Sequence, residues 1–263
     1  MTDREAEFER KLAQTGLWQL PDLLQALPDE TARLARLCYA ASPAGDWLDT
    51  PPEVFFSCAA HARFLRENAA WTRALPEPLF LAYVLHPRVN NEALCDCRPV
   101  FYAALAERLR GLPEEAAILE INRWCAEHVA YQPTDERTRS ALAVLRAGFG
   151  RCGEESMFAV NVLRACGFAA RQVYVPRWSH CDDNHAWVEA WCGGKWHYLG
   201  ACEPEPVLDR GWFSNAASRA MMVHYRWFSP DPPDGEVCNT EGSVRLINRL
   251  SHYAPAVEAV VRV

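Results

Sequence analysis

The 263-residue sequence has no stretch approaching the ~20 consecutive apolar residues that a bilayer-spanning helix needs, and no run rich in Lys and Arg. No membrane span is therefore expected. With 27 Lys and Arg against 34 Asp and Glu, the formal charge is −7. Such a chain lacks the electrostatic footprint of phosphate-backbone binding, so nucleic acid is not an expected partner. Low-complexity tracts are also missing, and half of the residues are hydrophobic, which argues against disorder and supplies material for a sizeable core. The first twelve residues, MTDREAEFERKL, are too charged for a signal peptide. A cytoplasmic protein and an exported one whose leader has been removed both agree with that. Nothing in the sequence calls for a cofactor.

Cysteine is what the sequence has in excess: eleven residues, odd in number and scattered in spacing. A domain of this size does not need stapling, so a full disulfide framework is not expected. There is no CxxC, and Cys95 and Cys97 have no second pair at zinc-ribbon spacing; His180, Cys181 and His185 only superficially resemble ligands, and no metal site is expected. Most of the cysteines should be buried small hydrophobes. The remaining question is whether one of them is a nucleophile.

Residues 1–112 read as helices separated by prolines, with Pro28, Pro51, Pro76 and Pro99 each opening an apolar periodic run. From Pro113 the character changes. A helix is expected to about His128, with Ile118, Ile121, Trp124 and Cys125 on its buried face. A short extended piece at residues 129–131, a polar loop and a brief helical turn at residues 141–146 follow. Next comes Gly150-Arg151-Cys152-Gly153, then an apolar stripe through Met157, Val160 and Leu163, ending at Gly167 where a helix-terminating glycine belongs. Cys152 is thereby placed at the start of a buried helix, where unpaired N–H groups and the helix dipole lower a thiol pKa. An inert buried thiol is the competing reading.

Residues 168–175 are rich in strand formers. Two period-2 runs flanking Gly193-Gly194 then predict a hairpin with a two-residue turn. This register pairs Cys192 with Lys195, Trp191 with Trp196, Glu189 with Tyr198, Trp187 with Gly200 and His185 with Cys202. It puts His185, Trp187 and Glu189 on one face. His185, starting a strand beside the polar loop Asp182-Asp183-Asn184, is placed to act as a base, although strand histidines are more often structural.

The cysteine at a helix start after a glycine, the helix end Arg164-Ala165-Cys166-Gly167 leading into a strand, the run His185-Ala186-Trp187-Val188-Glu189 and the Gly194-Lys195-Trp196 hairpin together resemble the transglutaminase-like superfamily. The likeness covers about residues 116–213. Val84-Leu85-His86-Pro87-Arg88-Val89-Asn90-Asn91-Glu92 and Gly200-Ala201-Cys202-Glu203-Pro204 resemble signatures of a bacterial subgroup. The resemblance implies an α+β fold, a helical N-terminal region packed on a papain-like core with an antiparallel sheet. It also implies a Cys-His-Asp triad with Cys152 as nucleophile and His185 as general base, forming a thioester acyl-enzyme. The oxyanion would be held by the Cys152 N–H and one side chain, with Gln132 and Trp124 as candidates.

At the third triad position the sequence departs from the family. The aspartate should fall at Gly200, and glycine cannot orient an imidazole. Glu203 is the nearest carboxylate; strict alternation puts it on the wrong face unless a bulge turns it inward. Glu189 lies four residues from His185, ~13 Å along a strand. Trp187, Arg151 and Asp183 are groove candidates, with core packing, a surface ion pair and a solvated loop as their competing roles. Asn90, Asn91 and Glu92 read as a helix cap or as a contact to the cleft.

The expected organisation is a helical region over residues 1–112, a catalytic core over 113–235 and a segment 236–263 whose last strand, at residues 257–263, would begin a truncated β domain. The expected function is thiol-dependent hydrolysis of peptide or amide bonds in a peptide or protein substrate. Acyl transfer to an amine and an inactive peptide- or glycan-binding module are the alternatives.

Overall fold

Prolines open most helices of the first half. The structure, a computed structural model, describes residues 3–135, 137–229 and 234–257. Its N-terminal elements are α1 (Asp3–Thr15), α2 (Leu20–Gln25), α3 (Asp29–Ala41), α4 (Ala44–Asp49), α5 (Pro52–Asn68), α6 (Ala70–Ala74), α7 (Glu77–Phe80) with a π-helical continuation (Leu81–Leu85), and α8 (Arg98–Leu109). Pro28, Pro43, Pro51 and Pro76 sit at N-caps, where no helical N–H is lost. Acidic residues follow in the first turns, on the positive end of the dipole.

The second half runs α9 (Glu114–His128), β1 (Ala130–Tyr131), α10 (Ala141–Ala147), β2 (Phe149–Gly150), α11 (Cys152–Ala165), β3 (Ala170–Val175), β4 (His185–Cys192), β5 (Lys195–Leu199), α12 (Ser214–Ala217), β6 (His224–Trp227), β7 (Val237–Glu241), β8 (Val244–Asn248) and α13 (Leu250–Tyr253). Six strands form one antiparallel sheet in the order β5-β4-β3-β6-β8-β7. The fold is α+β, as expected.

Helix α11 is the axis of the molecule, buried along its length after Cys152. Its apolar side chains pack with α8, α9, α10 and one sheet face, through Val188, Ala190 and Leu199; each such buried side chain contributes ~1.5–3 kcal/mol. The opposite face carries a second cluster, Val173, Val175, Trp178, Trp187 and Phe213. The N-terminal helices share a core with Trp196, Tyr225, Trp227 and Ile247 of the sheet.

This region also finishes the C-terminal end of α11, whose last carbonyls would otherwise be orphaned. His61 Nε2 meets the Ala165 carbonyl at 2.8 Å, Trp71 Nε1 donates to Cys166 O at 2.8 Å and Thr72 Oγ1 to Gly167 O at 2.8 Å. Gly167 has φ +91°, and a Cβ there would lie 3.2 Å from Trp71 Nε1, so glycine is required both by its backbone and by the close approach.

Two expectations change. The boundary after residue 235 cuts through the sheet: the β7–β8 hairpin pairs with β6 and extends the core's own sheet. Residues 258–263 of the expected terminal strand lie outside the described residues. In the β4–β5 hairpin the expected register is observed from Cys192↔Lys195 to Glu189↔Tyr198, but β5 ends at Leu199 and the expected pairs Trp187–Gly200 and His185–Cys202 do not form. The chain turns instead, with Glu203 N bonded to Gly200 O at 3.3 Å and Cys202 in the left-handed region at φ 58°.

Candidate active site

The thiol of Cys152 is positioned by what precedes it. Gly150 lets the chain pass beneath Glu154: a Cβ at Gly150 would fall 2.9 Å from the Glu154 Cβ. Glu154 is fully buried and anchored by Arg139 Nε at 2.7 Å and Thr134 Oγ1 at 2.7 Å. Cys152 is thus the first residue of α11 and half-buried. Burial pushes its thiol pKa up, and this outweighs the lowering by hydrogen bonds from the Ala186 and Gly153 backbone N–H groups and by the Arg151 charge. The expectation of a thiolate from helix-end placement alone is therefore corrected. Desolvation exceeds the dipole here, and the resting form is the thiol.

His185 opens β4, paired with Val175. Its ring is packed among Trp212 at 4.8 Å, Phe213 at 5.1 Å, Trp187 at 6.0 Å and Trp178 at 6.3 Å between centroids. Burial lowers its pKa to about 4, against a smaller upward pull from Asp183, so the imidazole is neutral at pH 7. Alternation sends its side chain to the face opposite α11. The next residue on β4 reaches the thiol: the Ala186 N–H hydrogen-bonds the Cys152 sulfur. Among the described residues no direct hydrogen bond joins the sulfur and the imidazole, and His185 Nε2 is buried without a partner.

The turn after β5 brings Glu203 back over Gly200. A Cβ at Gly200 would lie 3.0 Å from Glu203 Cβ and 3.2 Å from Cδ, so the Glu203 carboxyl group fills the space into which a side chain at position 200 would grow. A turn, not a bulge, makes this reversal, and Asn122 of α9 holds it. Its Nδ2 donates to Gly200 O at 2.9 Å and Glu203 O at 3.2 Å, and its Oδ1 accepts from Cys202 N at 3.0 Å. Cys202 is thereby turned toward Cys125 rather than His185.

Glu203 Oε1 accepts from Trp212 Nε1 at 3.0 Å, while Oε2 is buried with no partner among the described residues. Trp212 bonds the carboxylate and lies over the imidazole, spanning the two. Burial raises the Glu203 pKa, and burial together with the Glu203 charge raises that of Glu155 to about 8.

A cavity of about 330 Å³ opens on Cys152, with walls from Asn90, Asn91, Arg151, Gln172, Tyr174 and Arg226 among others. Gln172 Nε2 donates to Gly153 O at 2.8 Å and Ser156 Oγ at 2.7 Å, and its Oε1 accepts from Asn90 Nδ2 at 2.7 Å. Asn90 and Asn91 therefore belong to the cleft and cap no helix. Glu92 accepts the Val89 and Asn90 N–H groups at 2.8 and 2.7 Å, holding that loop in shape.

Other candidates stand elsewhere. Trp124 is in the core against Phe101 and Phe158, whereas Gln132, exposed, stays beside the approach to Cys152, its N–H bonded to Gly150 O at 2.9 Å. Trp187 is fully buried, its Nε1 donating to Tyr253 OH at 2.9 Å; it supports the His185 ring from below and lines no groove. Arg151 does line the cavity. Asp183 is exposed and acts on His185 through its charge. Glu189 is taken up by Arg171 at 2.7 Å, Arg249 at 3.0 Å and Tyr253 OH at 2.7 Å.

Asn122, Gln172 and Tyr174 were not singled out by sequence reasoning as parts of the triad or cleft. Gln172 and Tyr174 carried a usable signal: on the helix-facing side of β3 an apolar residue is the ordinary choice.

Residues 103–201 match the family model of the transglutaminase-like superfamily. This segment of the chain is similar to a transglutaminase-like core. That segment contains Cys152, His185 and Gly200, and stops two residues short of Glu203. No curated protein matches the sequence. Among solved structures, a candidate cysteine protease from Cytophaga hutchinsonii is similar at 18% identity and a TM-score of 0.34, the match covering 58% of this chain and 57% of that one. The chain thus spans little more than half the length of that protein. Among the described residues, no group of three or more His, Cys, Asp or Glu side chains is placed to hold a metal.

Proposed function

We propose that the protein is a thiol-dependent hydrolase of peptide or amide bonds, acting through a thioester on Cys152, with His185 as general base and Glu203 as the residue that orients it. The observation that carries this is a pair of buried unpaired atoms. His185 Nε2 and Glu203 Oε2 are both without a partner among the described residues, one belongs to an imidazole and the other to a carboxyl group, and Trp212 contacts both residues. Buried polar atoms left unpaired cost ~1–3 kcal/mol each, and closing one contact between them would relieve both. In that closed form the other ring nitrogen faces the thiol round the end of β4.

Neutral His185 takes the thiol proton as the sulfur attacks the carbonyl carbon. The resulting imidazolium passes the proton to the leaving amine, and water, activated by the same ring, releases the acid. The backbone N–H at the start of α11 serves the oxyanion. As the side-chain donor, Tyr174 takes the place of Trp124, which is packed in the core. It lines the cavity with Cys152, and burial and the Cys152 charge raise its pKa.

The test is to incubate the protein with a glutamine-containing acceptor protein and a labelled amine. Cys152-dependent amide hydrolysis without amine incorporation is expected. Cys152-dependent incorporation would make the protein an acyl transferase. A Cys152 no more reactive than the other ten cysteines would leave a binding module.

A further inference from the structure

The chain carries seven more acids than bases, yet among the described residues the walls of the Cys152 cavity contain two guanidinium groups, Arg151 and Arg226, and no Asp or Glu. The two are held differently. Arg151 donates to Thr138 Oγ1 at 3.1 Å and to the carbonyls of Asp135 and Arg137 at 3.4 Å, which fixes it as part of the rim. Arg226 projects from β6 with its side chain one-third exposed, and its ion pair to Glu241 is long, at 3.9 Å. Two carboxylates near the cavity are already engaged, while the exposed Asp183 acts on the wall residue Tyr174 through its charge. Asp46 takes both ends of the Arg88 fork at 2.7 and 2.5 Å, and Glu92 is bound to its two backbone N–H groups. The remaining polar walls are amides and hydroxyls, among them Asn91, Asn184, Gln172 and Tyr174.

Resting on the proposed thiol chemistry, we infer that this cavity selects acyl donors bearing a carboxylate beside the reacting carbonyl, with Arg226 as the group that binds it and Arg151 supplying a second positive charge. An arginine fork matches a carboxylate in two parallel charge-assisted hydrogen bonds, about twice as strong as neutral ones. With no acid among the described wall residues, Arg226 keeps that preference against water. The carboxylate can be an Asp or Glu side chain or a chain-terminal carboxyl group.

The experiment separates this inference from the hydrolase reading, because it needs no turnover. Alkylation of Cys152 by iodoacetate and by iodoacetamide, near-isosteric reagents differing by one carboxylate charge, is followed by peptide mapping, with the exposed Cys181 and Cys238 as internal references. The iodoacetate to iodoacetamide rate ratio at Cys152 is expected to exceed that at the references by about 10-fold or more, with saturation in iodoacetate alone. It should fall at least about 5-fold in Arg226→Ala and Arg226→Gln, and less in Arg226→Lys. A reference-like ratio at Cys152, a ratio insensitive to Arg226, or a Cys152 inert to both reagents overturns the inference.

Peptide substrates with Glu or Gln next to the scissile bond, each with a free or an amidated C-terminus, then identify which carboxylate is read. Charge selectivity at Cys152 without hydrolysis of any peptide leaves the inference standing and removes the hydrolase. Hydrolysis with no preference among the four peptides does the reverse.

Discussion

At the scale of residues, the account turns on two carboxyl groups and one imidazole. Because Glu203 fills the space above Gly200, an aspartate added there would collide with it; Gly200→Asp alone is expected to lower turnover. Glu203→Ala should reduce kcat by about 10²–10⁴-fold, and Gly200→Asp combined with Glu203→Ala should recover part of that loss, measured by steady-state kinetics. A double variant no better than Glu203→Ala would show that the two positions do not share one job.

The His185 pKa of about 4 and the Glu203 carboxyl, which burial raises, place the acidic limb of kcat/KM well below pH 6.5, at whichever group is protonated first. A limb near pH 6.5 would mean an imidazole that burial does not shift. Glu155, raised to about 8 from its ordinary 4.5, holds a proton in the folded chain that the unfolded chain has lost. Stability at this site therefore falls as pH rises between those values. Glu155→Gln should leave urea stability nearly unchanged at pH 5 and raise it by about 1–3 kcal/mol at pH 8.5.

At the scale of elements, the site depends on how a helix and a turn are held. Asn122 makes all three of its hydrogen bonds to the turn from Gly200 to Glu203 from a buried position on α9. Asn122→Ala is expected to cost about 2–3 kcal/mol in stability and, by releasing Glu203, to lower kcat more than it raises KM. Loss of stability with unchanged kcat would make Asn122 a structural staple only.

The hairpin register was legible before any coordinates, because Gly193-Gly194 and two alternating runs specify it residue by residue. So was the start of α11 at Cys152, from Gly150, the apolar stripe and Gly167. The turn at Gly200 was not legible, because its shape is imposed by Asn122, about eighty residues earlier. Nor were Asn90 and Asn91 recognisable as cleft walls, since their partners Gln172 and Thr138 come from other parts of the chain. The direction of the Cys152 shift is not legible for a related reason: helix-end polarity is local and readable, whereas burial is a property of the packed whole.

At the scale of the whole molecule, the sheet is tied to its surroundings by a buried ionic centre. Arg171 lies between Trp196 and Tyr225, 3.9 and 4.1 Å from their ring centroids, and binds Glu189 at 2.7 Å and Asp234 at 2.9 Å. Burial pushes both carboxyl groups up, but Arg171, joined by Arg249 at Glu189, overrides it and leaves both pKa values lowered. Their contribution is present above the ordinary carboxylate range and lost as pH falls through the lowered values. Glu189→Gln, which takes the carboxylate from Arg249 and leaves Arg171 to Asp234 alone, should cost about 3–5 kcal/mol in denaturant melts at pH 7, with a smaller cost once acid has titrated the site in the unmodified protein.

The most direct test of the central claim is to look for the acyl-enzyme itself. The protein, treated at pH 7 with an activated acyl ester and quenched in acid, is examined by intact-mass and peptide-mapping mass spectrometry. The account predicts one acyl group per chain on Cys152, labile to hydroxylamine, absent in Cys152→Ala and formed at least about 100-fold more slowly in His185→Ala. Acyl groups spread over the other cysteines, or a Cys152 adduct formed equally fast without His185, would contradict it.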